Sequence, residues 1–195
     1  MRVIAGKYRS RVLRSMPGMD IRPTADRLRE TLFNVLTAGN PEALEGSVWI
    51  DLYAGTGAVG IEALSRGAAQ VAFVERSHKA AGLIRTNLHS LGIEGGFAIH
   101  EAEATAALRA MKNVGADFVF LDPPYRLEDE YQRAMAALGE SSLLRDGSLV
   151  IAEHHKKFDP GRSFGQLQRF RTLSQADATL SFYVFQEAGR AVEPA

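Results

Sequence analysis

Two short stretches of this chain carry side chains whose types and spacing could do chemistry. One is Asp51 followed by Gly55, Gly57 and Gly60, with Glu75 eighteen residues past Gly57; the other is Asp122-Pro123-Pro124-Tyr125. In G-x-G-x-x-G the glycines permit a tight turn, close backbone approach to a ligand and tight helix-to-strand packing, with helix amides facing the ligand. A dinucleotide would need its phosphates cradled there, and an acid just ahead of the glycines works against them. A ligand bearing an ammonium, a sulfonium and ribose hydroxyls suits an acid-framed loop better. S-adenosylmethionine is such a ligand.

In the second stretch, the two prolines fix the backbone and remove amide donors, leaving carbonyls to accept hydrogen bonds. The Asp122 carboxylate and a neighbouring proline carbonyl offer two acceptors to one NH₂ group, and Tyr125 offers a flat face for a base. The target this fits is an exocyclic amine. Such a nitrogen is a poor nucleophile because its lone pair is delocalised into the ring. Holding both hydrogens favours pyramidalisation and aims the lone pair at a methyl donor, so the work is orientation and electrostatics. Asp122 can also take the released proton.

The elements around these stretches must bring them together. Val48, Trp49, Ile50 and Leu52 form an apolar run suited to a strand buried on both faces, leading through the glycines into a helix over 58–66 that Gly67 ends. Strands are expected at 70–75, 97–100, 117–121 and 148–152, with helices at 77–91 and 105–112 and another marked by Tyr131, Met135 and Leu138. This alternation predicts a Rossmann-like, doubly wound, mostly parallel sheet of seven strands covered on both faces. In such a sheet the strand C-terminal ends share one crevice, which places Asp122 beside Gly55 and Gly57. Residues 167–173 and 179–186 break the rhythm. The polar loop between them, 174–178, is too short for a parallel crossover, so they must close the sheet as an antiparallel hairpin.

Ahead of this body, residues 1–15 alternate loosely around Gly6 and suggest a short hairpin, and 16–19 a turn. Thr24 suits a helix N-cap, and Leu28, Leu32, Val35 and Leu36 recur at helical spacing over 25–38. Arg22, Arg27 and Arg29 near that helix start oppose its dipole, a local conflict consistent with either a solvated face or another purpose. The expected organisation is a basic extension over 1–40, a catalytic body over 41–187 and a tail over 188–195.

The 195 residues, 46% apolar and 24% charged, suit one globular domain with a small appendage. There is no cysteine, which excludes disulfides and thiolate metal sites and fits a reducing cytoplasm. No run reaches the length of a membrane span. The five histidines show no metal-ligand spacing, so no metal is expected. The net charge of zero hides an asymmetry: residues 1–29 carry eight basic side chains against Asp20 and Asp26, a net +6 balanced by −6 in the remainder. A basic arm on a mildly acidic body is what a phosphate-backbone partner requires locally.

The chain resembles the bacterial 16S rRNA (guanine-N2)-methyltransferases of the RsmD type, which act at a 966-type position. The resemblance runs through RVIAGKYRSRVL (2–13), RPTADRLRETLFNVL (22–36), DLYAGTGAVGIEALSRGA (51–68), Asn87-Leu88 with Leu91-Gly92, and DPPY (122–125), and is weaker beyond residue 130. It implies S-adenosylmethionine as cofactor, held by Asp51, Ala54, Gly55, Thr56 and Gly57, with Glu75 on its ribose and Arg22 and Thr24 approaching from the N-terminal side. It also implies that Asp122, Pro123, Pro124 and Tyr125 take a flipped guanine, and that Lys7, Arg9, Arg11 and Arg27 meet the RNA. The implied partner is 16S rRNA within a partly assembled small subunit, the protein acting as a cytoplasmic monomer. Two positions depart from the pattern: Ser77 stands where a second acid is expected, and Ala102-Glu103-Ala104 replaces Gly-Asp-Ala, with Glu103 taking the adenine-side contact.

Other readings stay open at this point. An acid-Pro-Pro-aromatic motif also serves DNA, other RNA or protein-glutamine N-methylation, although the basic arm argues against a protein target. The glycines and Glu75 alone would allow a nicotinamide oxidoreductase. The basic arm alone would allow a non-catalytic RNA-binding assembly factor.

Overall fold

The computed structural model describes residues 1–15, 23–112 and 114–187, with the side chains of 23–25 excepted. Arg22, the turn at 16–19, the tail at 188–195 and the Thr24 side chain lie outside the described residues. One sheet dominates, ordered β3 (Phe97–His100), β2 (Gln70–Val74), β1 (Val48–Leu52), β4 (Ala116–Leu121), β5 (Leu144–His155), β8 (Ala178–Phe185), β7 (Leu167–Gln175) and β6 (Ser163–Phe164). The first five are parallel, and β8, β7 and β6 are antiparallel. The sheet therefore has eight strands where the sequence predicts seven. The eighth, β6, has two residues, too few for any periodicity to announce it. The terminal hairpin forms as expected, but its loop tightens to Ala176 and Asp177, with Ala176 at φ 55°.

Alternation along β1 explains how the sheet is covered. Trp49 belongs to the cluster under α1 (Pro23–Leu36), α2 (Ala58–Ser65) and α3 (His78–Ser90), while Ile50 and Leu52 point to the cluster under α4 (Ala104–Ala110) and α5 (Glu128–Gly139). Trp49 stacks between Phe33 at 5.4 Å and Phe118 at 4.7 Å, and its indole N–H donates to Ser47 Oγ at 3.0 Å. That stack joins α1 to the sheet. The helix starts at Pro23, earlier than expected, so Thr24 is its second residue and Pro23 takes the first-turn position that proline favours.

Residues 1–15 form a hairpin-like turn with a single antiparallel bridge, Arg2 to Val12. What holds them is Glu62, a wholly buried carboxylate on α2. Its Oε2 accepts the Ile4 amide at 2.8 Å, while Oε1 accepts the Ala5 amide at 3.0 Å and Arg66 Nε at 2.8 Å. Arg29, also buried, donates to Arg2 O at 2.5 Å and to Asp26 at 3.1 Å, with its Nε 3.9 Å from Glu62. The dipole conflict at the start of α1 thus resolves differently along the helix: Arg29 is a clamp between arm and body, whereas Arg27 is exposed.

Removing a partner from a buried charge cluster leaves the other charges uncompensated, at about 3–5 kcal/mol. Glu62→Ala is expected to lower stability by that order and to release residues 1–15. Limited trypsinolysis should then cut after Lys7, Arg9 or Arg11 about tenfold faster than in the parent protein; unchanged cleavage would show that the arm is held by other contacts.

Candidate active site

Parallel pairing of β1 with β4 places Asp51 opposite Phe120 and Leu52 opposite Leu121, and β4 with β5 places Leu121 opposite Ala152. The residues that follow these strands therefore emerge at one edge. A cavity of about 940 Å³ opens there, lined by the glycine loop, Glu75, Glu103, the 122–125 turn and Glu153. Its size lies in the range of small-molecule sites. The crevice anticipated for a doubly wound sheet is present, and both stretches border it.

Each part of the loop has a local cause. Gly57 caps α2 at φ 77° with no side chain to offer, so the cap is supplied from β1: Asp51 Oδ2 accepts the Gly60 amide at 2.9 Å. A Cβ on Gly60 would stand 2.3 Å from Phe73 Cε1, so glycine there lets α2 seat on β2. Asn87, buried on α3, donates to Thr56 O at 3.0 Å and to Arg14 O at 3.1 Å and accepts the Arg14 amide at 2.8 Å, tying loop to arm. Glu75 accepts the Gly55 amide through Oε2 at 2.9 Å and the Ser77 amide through Oε1 at 2.8 Å. Both oxygens keep lone pairs for hydroxyl donors. Ser77 caps α3, its Oγ accepting the Ala80 amide at 3.3 Å, which accounts for a hydroxyl residue where an acid was expected. Glu103 is half exposed at the start of α4, 3.4 Å from Arg76.

Around the second stretch the Pro124 carbonyl accepts the Leu127 amide at 2.8 Å. The Tyr131 hydroxyl donates to the Glu153 carbonyl at 2.9 Å and lies 3.2 Å from Pro123 O. With one hydrogen, Tyr131 leaves Pro123 as the carbonyl still able to accept. Tyr125 is partly exposed, meets His155 edge-on at 5.8 Å and donates its hydroxyl to Glu153 Oε1 at 3.2 Å. Among the basic residues expected at RNA, Lys7, Arg9, Arg11 and Arg27 are all exposed; Lys7 lies over Tyr8, and Arg11 reaches Ser90 O at 3.0 Å.

Sequence reasoning did not single out Glu153 or Tyr53. Glu153 sits in a strand whose pattern reads only as buried, and its meeting with Asp122 depends on register between strands thirty residues apart. Tyr53 holds φ 61°, uncommon for a non-glycine, and its hydroxyl donates to Glu130 on α5 at 2.9 Å. Nor did sequence reasoning anticipate how Asp51, Asp122 and Glu153 converge on one cavity. Among the described residues, none of their groups is arranged as a metal site, and no helix is long and apolar enough to cross a membrane.

Burial is the main cause of the acidity shifts here. It pushes Asp51 up to about 7, with Glu75 adding and the Gly60 amide opposing. It pushes Glu153 to about 7 against the Tyr125 hydroxyl. Asp122 is raised well above the carboxylate range by burial, then by Glu153 and Asp51.

Eight strands in this order, with a glycine loop, an acid ending β2 and an acid-Pro-Pro-Tyr turn at one crevice, define the class: Rossmann-like methyltransferases. The family model described as Conserved hypothetical protein 95 matches residues 1–184. Ribosomal RNA small subunit methyltransferase D of Haemophilus influenzae is 34% identical over 158 residues, 80% of this chain and 79% of that one. The solved structure of yhhF from Escherichia coli, 28% identical, covers 95% of this chain and 98% of its own with a TM-score of 0.79. An RNA methyltransferase from Salinibacter ruber, solved with S-adenosyl-L-homocysteine, shares the fold at 15% identity, covering 88% of this chain and 97% of its own with a TM-score of 0.61. The chain belongs to the family of ribosomal RNA small subunit methyltransferase D.

A carboxyl whose folded pKa is raised contributes stability that is present below its unfolded value and lost as pH rises through the folded value. For Asp51 and Glu153 that loss begins near the ordinary values of 3.8 and 4.5 and is nearly complete just above pH 7. The unfolding free energy of the ligand-free protein, from urea titration, should therefore fall between pH 6 and pH 8.5 by on the order of 2 kcal/mol, and Asp51→Asn should flatten the profile. A profile already flat in the parent protein would contradict the clustered burial of these acids.

Proposed function

We propose that this protein methylates the exocyclic N2 amine of a guanine in 16S rRNA during small-subunit assembly. Family membership carries the coarser part: S-adenosylmethionine-dependent methylation of ribosomal RNA. The observation that supports the finer part is the cavity in which the glycine loop and Glu75 face the 122–125 turn across adjacent strand tips.

The cofactor fits the first half of this cavity on the chemistry of the donors present. Asp51, Ala54, Gly55 and Thr56 line it, Gly57 makes the turn into α2 behind them, Glu75 is fixed by two amides with acceptor capacity left for ribose hydroxyls, and Glu103 stands at the rim for the adenine. Arg22 and Thr24 complete the assignment from the N-terminal side. When bound, S-adenosylmethionine supplies an electrophilic methyl group on sulfur.

The chain's own residues do the rest. Tyr125 stacks the base, and Asp122 with the Pro123 carbonyl accepts the two N2 hydrogens, which turns the nitrogen lone pair toward the methyl carbon. The cationic cofactor would favour the ionised form of Asp122 and would supply the methyl carbon to that lone pair, the C–S electron pair staying with its sulfur. The N2 proton passes to the Asp122 carboxylate and on to solvent. Lys7, Arg9, Arg11 and Arg27 hold RNA phosphates beside the crevice, consistent with the net +6 of residues 1–29.

Asp122→Asn should reduce methylation of small subunits from deletion cells by at least about a hundredfold while cofactor affinity by calorimetry stays within about threefold. Mass spectrometry of the rRNA identifies the product; a modified base other than N2-methylguanine would refute the assignment. Neutralising Lys7, Arg9 and Arg11 together should weaken RNA binding and lower the slope of log affinity against log salt by about 2. An unchanged slope would remove these residues from the RNA contact.

A further inference from the structure

At the target end of the cavity the polar groups are nearly all acceptors. The parallel register of β4 and β5 sets Asp122 and Glu153 on adjacent strand tips, one residue past the Leu121 to Ala152 pair, and both line the cavity. Glu153 is held from two sides: Tyr125 donates to its Oε1 at 3.2 Å, and Tyr131 donates to its backbone carbonyl at 2.9 Å while standing 3.2 Å from Pro123 O. Tyr131 therefore ties the Glu153 backbone to α5 immediately beside the turn that receives the target amine. Glu153 Oε2 has no role in the transfer described above.

The nucleobases differ in what lies beside the exocyclic amine. Adenine places the bare N1 acceptor next to its N6 amine, and cytosine the bare N3 next to its N4 amine. Guanine places a second donor, N1–H, next to its N2 amine. Burial favours the neutral form of Glu153, and the cationic cofactor beside it opposes that and favours the ionised form. Ionised, it accepts and cannot donate, so a second carboxylate on the N1 side of the amine suits guanine, whose bare N3 lies on the opposite side, and opposes the other two bases.

We infer that Glu153 is the base-selecting residue of this site, its Oε2 accepting guanine N1–H while Asp122 and Pro123 O hold the N2 hydrogens. This assignment rests on the guanine-N2 reading. It accounts for Tyr125 having a hydroxyl: the phenol orients Glu153 as well as presenting a ring. It also gives a reason for a second acid beside Asp122 at the target end of the cavity, since one carboxylate is enough to take the released proton.

The test replaces the N1–H on the substrate and the carboxylate on the protein. Small subunits are reconstituted with rRNA carrying either guanine or 2-aminopurine at the target; 2-aminopurine keeps the 2-amine but has a bare N1. Wild-type protein should methylate the guanine subunits and act on the 2-aminopurine subunits at least about a hundredfold more slowly, since a site built to accept N1–H rejects an analogue lacking it. Glu153→Gln, whose carboxamide can donate to a bare N1, should lose about a hundredfold in kcat/KM on guanine and narrow the guanine to 2-aminopurine ratio at least tenfold. Glu153→Asp, still acceptor-only, should lose rate but keep the ratio. Titration with S-adenosylhomocysteine checks that each variant is folded.

Equal losses on both substrates in Glu153→Gln, or rates equal to wild type, would overturn the assignment while leaving guanine-N2 methylation intact. If Glu153→Gln does not fold, a Glu153→Asp variant that loses the ratio overturns it, and one that keeps the ratio supports it. Wild-type protein that leaves the target guanine unmodified would instead overturn the functional reading itself, and this assignment with it.

Discussion

The burial of three carboxyls at neighbouring strand tips is the constraint on which the site depends. Asp51 near the end of β1, Asp122 just past β4 and Glu153 on β5 sit where the sheet is covered on both faces, and each is pushed toward its neutral form chiefly by that burial. Nothing local would keep such groups together. Their positions are imposed by backbone pairing, β1 to β4 and β4 to β5, and by the apolar clusters that hold the sheet between two helical layers. One donor each then moderates the cost, the Gly60 backbone amide on Asp51 and the Tyr125 hydroxyl on Glu153.

A second buried acid does a different job with the same physics. Glu62 gathers two arm amides and Arg66, with Arg29 close by, so the basic extension is fastened to α2 through a fully desolvated centre. Asn87 repeats the arrangement nearer the cavity by bonding both Arg14 and the Thr56 carbonyl. The arm and the glycine loop are thus positioned by shared partners. The exposed cations Lys7, Arg9 and Arg11 ride on a segment whose backbone is fixed, which sets them at a constant distance from the crevice.

What could be read in advance follows from the range of the interactions. The apolar run through Trp49 and Ile50, the glycine spacing and the Pro-Pro turn act within a few residues, so β1, α2 and the 122–125 turn were legible. So was the hairpin, because a short loop admits no other pairing. The two-residue β6 was not, since it exists only because β7 offers it an edge. Glu153 was hidden for a related reason: in the run Ser148 to Ala152 the buried pattern ends just before it, and only the register with β4 reveals its neighbour. Ser77 looked like a missing acid because a cap and a ligand contact share one position, and which of them a residue serves depends on the Ala80 amide three residues on.

On the reading proposed above, the same register lets one fold edge both hold a cation and choose a base. Acids suit a sulfonium because it is positive, and they suit guanine because its amine lies beside a second donor. On the proposed reading acceptor chemistry serves both ends of the crevice, and a base with a bare ring nitrogen where guanine has N1–H sets that lone pair against the Glu153 carboxylate. Selectivity of this kind tolerates little movement, since a carboxylate displaced by an ångström could accept from the amine of any base. The Tyr131 hydroxyl, set between Pro123 and the Glu153 carbonyl, is placed to prevent that displacement.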